Sequence, residues 1–342
     1  MHTLALLAAH LALAQPTTPP PAPLDTTAAI TAALDDPART LTKDELAAAA
    51  LVARTASDAA PTAAALVTLR ADLARIAGSR DEARDLYARA VALDPANALL
   101  RERLGTAIFS AMRGGASLAM LGKAETAMTE YKRALELDPT RIEPRIGMAS
   151  FYVMAPAIAG GSYKKARQQA ADLLALNTPA ATNAGRLVEA LIAQHREEWS
   201  DMTAAYEAAL AASPDPDNPA ADATTLRAYA LALLRVKEDP KAALPVTLRL
   251  RAAAPPADPI PDALHAEALA GLGRHAEAAP IFESVLARLP EARLSRYGAA
   301  ASHAALGDKT QAIAHYEEFL RRFPTDNKAD GAKSALKKLR KK

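Results

Sequence analysis

Seven histidines, thirty-nine acidic side chains and no cysteine bound the chemistry open to this chain of 342 residues. His2 and His10 fall in the N-terminal fourteen residues expected to be removed, leaving His195, His265, His275, His303 and His315 as candidate bases or ligands. No two of them have the HExxH spacing, which sets two imidazoles one helical turn apart around a zinc ion. His265-Ala266-Glu267 pairs an imidazole with a carboxylate, but a zinc deaminase site also needs thiolates, and none exist. His195 sits near Glu197 and Glu198, as at a solvated helix end. Gly271-Leu272-Gly273 follows a helical pattern rather than a strand, and no GKS or GKT phosphate loop occurs. No serine lies in a nucleophile-elbow context. The adjacent carboxylates Asp81-Glu82 and Glu317-Glu318 project in different directions on a helix and read as surface charge. These residues predict no catalytic, cofactor-binding or metal site, and no enzyme.

The elements beneath them are helical by composition. Alanine, the best helix former, supplies 88 residues, whereas Trp, Tyr and Phe together supply only 14. A core short of rings must be filled by small side chains in close contact, which favours helix against helix and argues against sheet folds. The net charge is only +2, so no overall field draws the chain to nucleic acid.

Residues 4–14 form an apolar run ending in Ala12-Leu13-Ala14, followed by Gln15. The run is too short to span a bilayer. It reads as a signal peptide over 1–14, cut after Ala14, although Met1-His2-Thr3 brings no Lys or Arg. A proline-rich linker, 15–24, follows. The expected destination is the periplasm or the exterior, as a soluble protein with no lipid-anchoring Cys and no transmembrane segment in the mature chain. In the extension 25–63, Thr42-Lys43-Asp44-Glu45 is a capping box opening a helix through Ser57. At the far end, 326–342 is basic. Ala329, Ala332, Leu336 and Leu339 fall at helical spacing, with Lys333, Lys337, Lys338 and Arg340 on the other face.

Between these ends the sequence repeats. A small or apolar residue is followed four later by a ring, three later by an apolar residue and five later by proline. The sets are Ala83/Tyr87/Ala90/Pro95, Ala127/Tyr131/Ala134/Pro139, Met202/Tyr206/Ala209/Pro214, Ala278/Phe282/Val285/Pro290 and Ala312/Tyr316/Phe319/Pro324. Two copies lack the ring, at Ala170 and Thr247. Offsets of four and three share one helical stripe, the ring fills the groove against a partner helix, and proline ends the unit. Upstream small residues, among them Ala71, Gly105, Ala149, Ala190, Ala266 and Ala300, mark where that partner crosses closely. Gly78, Gly122, Gly161, Gly273 and Gly307 are expected in the turns, where positive φ is cheap for glycine.

This pattern resembles the tetratricopeptide repeat (TPR), a 34-residue helix–turn–helix unit. The resemblance implies an all-α fold: a right-handed α-solenoid of about seven repeats with an N-terminal helical extension and a C-terminal capping helix. The array is expected over 64–325, as 64–97, 98–141, 142–180, 183–216, 224–257, 259–292 and 293–325, with the cap at 326–342. It further implies a groove lined by the second, fifth, ninth and twelfth positions of each first helix. Those are Ala65, Thr68, Asp72 and Arg75; Leu99, Glu102, Thr106 and Phe109; Glu143, Ile146, Ser150 and Val153; Ala184, Leu187, Leu191 and Gln194; and Thr225, Ala228, Ala232 and Arg235. The Lys/Asn clamp by which chaperone-adaptor TPR proteins hold a terminal carboxylate is missing here. Ile146, Val153, Leu187 and Leu191 make the middle of the groove apolar, which points to a protein or peptide partner or to self-association.

The insertions around Met112–Ala119, in VMAPAIAGGSYKKA and in PDPDNPAAD map to loops, where binding residues often sit. The segment APAIAGGSYKKARQQAADLLALN is similar to the Gly-Gly segment of TRAP-transporter T-components. That likeness implies a second function, a periplasmic ligand-binding accessory of a transporter, beside an exported scaffold for protein–protein interaction.

Overall fold

Alanine-rich stretches punctuated by proline and capping side chains fold, in a computed structural model, into seventeen α-helices and one 3₁₀ turn among the described residues. The structure describes residues 24–36, 39, 41–112, 118–212 and 222–341, with side chains from 121 onward in the third segment. The expected signal peptide, nearly all of the proline-rich linker, the Gly114-Gly115 insertion and Pro214 lie outside the described residues. Among those described there is no strand.

The chain forms two compact units, one up to Pro139 and one from Thr140. The first holds α1 (Thr27–Asp35), α2 (Lys43–Ala59), α3 (Ala64–Ile76), α4 (Arg80–Leu93), α5 (Ala98–Ala111) and α6 (Leu118–Leu137). The second holds α7 (Glu143–Met154), the 3₁₀ turn (Ala157–Ala159), α8 (Tyr163–Ala175), α9 (Pro179–His195), α10 (Trp199–Ala211), α11 (Ala223–Arg235), α12 (Pro240–Ala253), α13 (Ile260–Gly271), α14 (His275–Arg288), α15 (Arg293–Ala305), α16 (Lys309–Arg322) and α17 (Ala329–Arg340).

Within each unit, helices adjacent in sequence pack as neighbours, and several first helices also meet the next first helix, as α7 meets α9 and α13 meets α15. The rings sit in these seams: Tyr87, Tyr131, Tyr206, Phe282 and Tyr316 are all buried. Burying a large side chain of this kind stabilises by roughly 1.5–3 kcal/mol relative to leaving it exposed. Pro95, Pro139, Pro255, Pro290 and Pro324 each stand two residues beyond the last residue of α4, α6, α12, α14 and α16. Pro179 acts differently. It opens α9 in the first turn, where its missing N–H has no partner to lose, and Thr178 caps Ala181 N–H there.

The extension carries two helices rather than one. α2 opens with both bonds of the capping box, Thr42 Oγ1 accepting from Glu45 N–H and Glu45 Oε2 accepting from Thr42 N–H. The second of these, the stronger influence, holds the Glu45 carboxyl below its usual range. α1 precedes it, capped by Thr26 and burying Ile30 and Ala33 against Leu69 and Leu73 of α3. At the other end α17 buries Ala329, Ala332 and Leu336 and turns Lys333, Lys337, Lys338 and Arg340 outward.

Two expected turn glycines lie elsewhere. Gly122 falls inside α6, because that helix starts at Leu118 and pushes the preceding turn upstream. At the α7–α8 connection the left-handed residue is Gly160 (φ 93°), not Gly161. Gly161 is needed for close approach instead, since a Cβ there would stand 1.8 Å from the Ala155 carbonyl oxygen. Gly78, Gly273 and Gly307 do take positive φ, and so do Asn177, Glu197 and Glu238.

Candidate functional site: an acid-rimmed cleft on α1, α3 and α5

On α3 the second, fifth and ninth positions, Ala65, Thr68 and Asp72, line one face, and that face is hollow. α1, α3 and α5 with the α4–α5 turn enclose a cleft of ≈ 350 Å³, within the size range of small-ligand sites. Its apolar surface comes from Leu34, Leu69, Leu99 and Leu100, with Ala65 and Thr68 of α3 between them. Asp35, Asp72 and Asp94 stand on the lining against a single cation, Arg103.

Each carboxylate is placed by a different local device. Asp72 accepts from Tyr87 Oη at 2.6 Å and from Arg103 Nη1 at 2.7 Å. Burial, reinforced by Asp72, pushes the Tyr87 phenol above its ordinary range, so it stays protonated and donates. Asp94, the C-cap of α4, accepts from Asn97 Nδ2 at 3.0 Å, while Asn97 Oδ1 caps α5 at Leu100 N–H. Asp35 ends α1, where the helix dipole disfavours negative charge. Neither Asp35 nor Asp94 has an ion-pair partner among the described residues. The cleft is therefore an apolar hollow in which Asp72 is paired with Arg103 and Asp35 and Asp94 leave negative charge on the rim, suited to an aliphatic stem ending in a cation.

The other anticipated groove residues are more scattered. Arg75 is exposed beside this face, whereas Glu102 is buried. Thr106 is exposed with its hydroxyl 3.1 Å from Tyr131 Oη, and half-buried Phe109 stacks on Tyr131 at 5.8 Å. In the second unit Val153 is buried (3% exposed), so it belongs to the packing of α7 rather than to an open face. Ile146, Ser150, Leu187, Leu191 and Gln194 are half-buried. Leu187 packs against the core that contains Tyr206 and Tyr229. Arg235 is exposed and reaches Glu267 Oε2 at 3.2 Å. The Met154 and Ile158 side chains near the Gly160-Gly161 turn stand open, at 65% and 97%.

A larger hollow of ≈ 580 Å³ lies on α8, α9 and α10, floored by alanines such as Ala170, Ala193 and Ala205. Its rim mixes signs, and Arg186 pairs with Glu189 at 2.8 Å, which leaves less net charge to select a ligand.

Comparison with known proteins bears on these helix pairs. A model of the tetratricopeptide repeat matches residues 295–326. No curated protein matches the sequence. Among solved structures, yeast Tom70 superposes with a TM-score of 0.62 at 15% identity, over 87% of this chain and 59% of that one. The APC/C hetero-tetramer Cut9–Hcn1 gives 0.50 at 14% identity, over 91% of this chain and 58% of that one. The fold is a tetratricopeptide-repeat solenoid. The chain spans somewhat under three fifths of the length of these two relatives.

TPR packing also accounts for most of the histidines. His265 Nδ1 lies 3.0 Å from Thr247 Oγ1, and both side chains are buried. His195 Nδ1 meets Tyr163 Oη at 2.8 Å, and His275 Nδ1 lies 3.4 Å from Ser302 Oγ. His303 and His315 instead converge on Glu283, a grouping of three ligand-type side chains that local spacing could not reveal. The comparisons lend no support to a transporter accessory, and the Gly160-Gly161 pair is explained by its own turn.

Proposed function

We propose that this chain is an exported TPR scaffold that holds an extended, basic segment of a partner protein on the face made by α1, α3 and α5. The observation that carries the reading is the cleft itself, where three aspartates face one arginine around an apolar hollow. Coulombic attraction across a partly desolvated rim selects Lys or Arg, and the leucines accept the aliphatic stem or a neighbouring apolar residue. The same charge balance repels a terminal carboxylate, in keeping with the missing Lys/Asn clamp.

Selection from a random peptide library on the full chain tests this. It should enrich Lys or Arg next to an apolar residue. Enrichment of acidic peptides or of free C-terminal carboxylates would refute it. Export rests on the apolar run 4–14, the Ala12-Leu13-Ala14 site and the proline-rich segment after it. N-terminal sequencing of the protein from cells should begin at Gln15, and a mature N-terminus at Met1 or His2 would contradict it.

A further inference from the structure

We propose that Glu283, His303 and His315 form a binding site for a divalent transition-metal ion of the zinc class, clamping α14, α15 and α16 together. The three residues come from three successive helices, and one ligand-type atom from each lies within 4.8 Å of the others. His303 Nε2 is 3.1 Å and His315 Nε2 2.8 Å from the same oxygen, Glu283 Oε1. The two imidazoles stack with centroids 5.8 Å apart and planes 6° from parallel, so both present the same edge to that carboxylate. In a tetrahedral zinc site with bonds near 2 Å, ligand atoms stand about 3.3 Å apart, so the two separations from Glu283 Oε1 need open by only a few tenths of an ångström.

The carboxylates on either side of the His303 ring support the assignment. Its Nδ1 lies 3.4 Å from Asp308 Oδ2 while its Nε2 faces Glu283. Carboxylates only accept, and a neutral imidazole has a single N–H, so the ring can donate to only one of these two carboxylates. With a metal on Nε2, the proton sits on Nδ1 and points to Asp308, the carboxylate–histidine–metal relay that fixes ring orientation in known sites. His315 is 8% exposed, and its Nε2 faces the Glu283 carboxylate at 2.8 Å. Two imidazoles and a carboxylate suit zinc better than calcium or magnesium, which prefer all-oxygen sets.

The test uses the full chain without an affinity tag, stripped with a chelator and then titrated with Zn²⁺ against a competing fluorescent indicator. Binding of about one equivalent is expected, together with a rise in thermal midpoint that Mg²⁺ does not give. His303→Gln, His315→Gln and Glu283→Gln should each weaken zinc binding at least about tenfold, and Asp308→Asn about tenfold through loss of ring orientation. Co²⁺ should give visible d–d absorption that disappears in the same variants. If His315→Gln fails to fold, the more exposed His303 and Glu283 variants, checked by circular dichroism, decide the matter. Zinc binding that survives both of these substitutions, or no zinc binding at micromolar concentration, would overturn the proposal.

Discussion

Two seams of the second unit solve one packing problem with opposite chemistry. Between α14 and α15, the tip of the Phe282 ring meets Gly298, so close that a Cβ at position 298 would stand 2.5 Å from Cζ. Between α12 and α13 the ring is replaced by Thr247. Its hydroxyl donates to the Leu244 carbonyl at 2.8 Å and accepts from His265 Nδ1–H at 3.0 Å. The first seam is held by contact area. The second has less apolar volume and depends on a buried polar pair, which is stabilising only while every member is satisfied. The repeat thus tolerates loss of its ring, and what replaces it is more sensitive to chemistry and less to shape.

Substitutions in the two seams can break that contrast. Phe282→Ala removes a buried ring and should cost about 3–5 kcal/mol in denaturant unfolding. A cost under about 1 kcal/mol would mean the ring is not the seam's support. Thr247→Val should cost about 1–3 kcal/mol by stranding His265 Nδ1–H, whereas Thr247→Val with His265→Leu should recover most of the loss. If the double variant is as unstable as the single one, the polar pair is not what holds α12 to α13.

Acid should act on the polar seam first. Burial, with a smaller push from Arg251, lowers the His265 pKa below its ordinary value near 6.5. The unfolded chain then takes up a proton that the folded chain refuses. Stability from this group is complete above about pH 6.5 and falls as pH drops toward the folded-state pKa. His315 shifts in the same direction for the same leading cause. The thermal midpoint should therefore decline between pH 7 and 5, and less steeply in the Thr247→Val/His265→Leu variant. An unchanged slope would remove His265 from the explanation.

The smallest expected effect is at the turns. After α9, Glu198 N–H bonds to the Ala193 carbonyl at 2.8 Å, as Ser79 N–H bonds to Ala74 after α3 at 2.9 Å. Glu197 thus occupies the left-handed slot that Gly78 fills, with φ 59° against 78°. An L-residue pays roughly 1 kcal/mol there. Glu197→Gly should recover up to about that amount, while Gly78→Ala should lose a similar amount; equal and opposite signs in thermal melts check the assignment.

Much of this architecture was legible in the chain. The recurrence of Tyr87, Tyr131, Tyr206, Phe282 and Tyr316 is a local, helical-period signal, and each of these rings is buried. The capping box at Thr42 was equally local. What could not be read depends on contacts distant in sequence or on elements without a motif. α1 has no repeat to announce it, yet it supplies Thr31, Leu34 and Asp35 to the cleft. Position within a repeat marked Val153 and Glu102 as open, but their neighbours cover them. Glu283, His303 and His315 meet only because three helices stack, and no spacing rule anticipates that. Thr247 read as a missing ring, and only the structure shows His265 answering it.

The central claim is that the α1–α3–α5 cleft is the partner-binding site, and Asp35 offers the cleanest way to test it. It is exposed, lies where the helix dipole disfavours an acid, and can be changed without disturbing the fold. Isothermal titration of one library-selected basic peptide into the wild-type chain and into Asp35→Lys should show at least a tenfold loss of affinity in the variant, with helical content unchanged. Equal affinity for the two proteins would place the partner elsewhere on the solenoid.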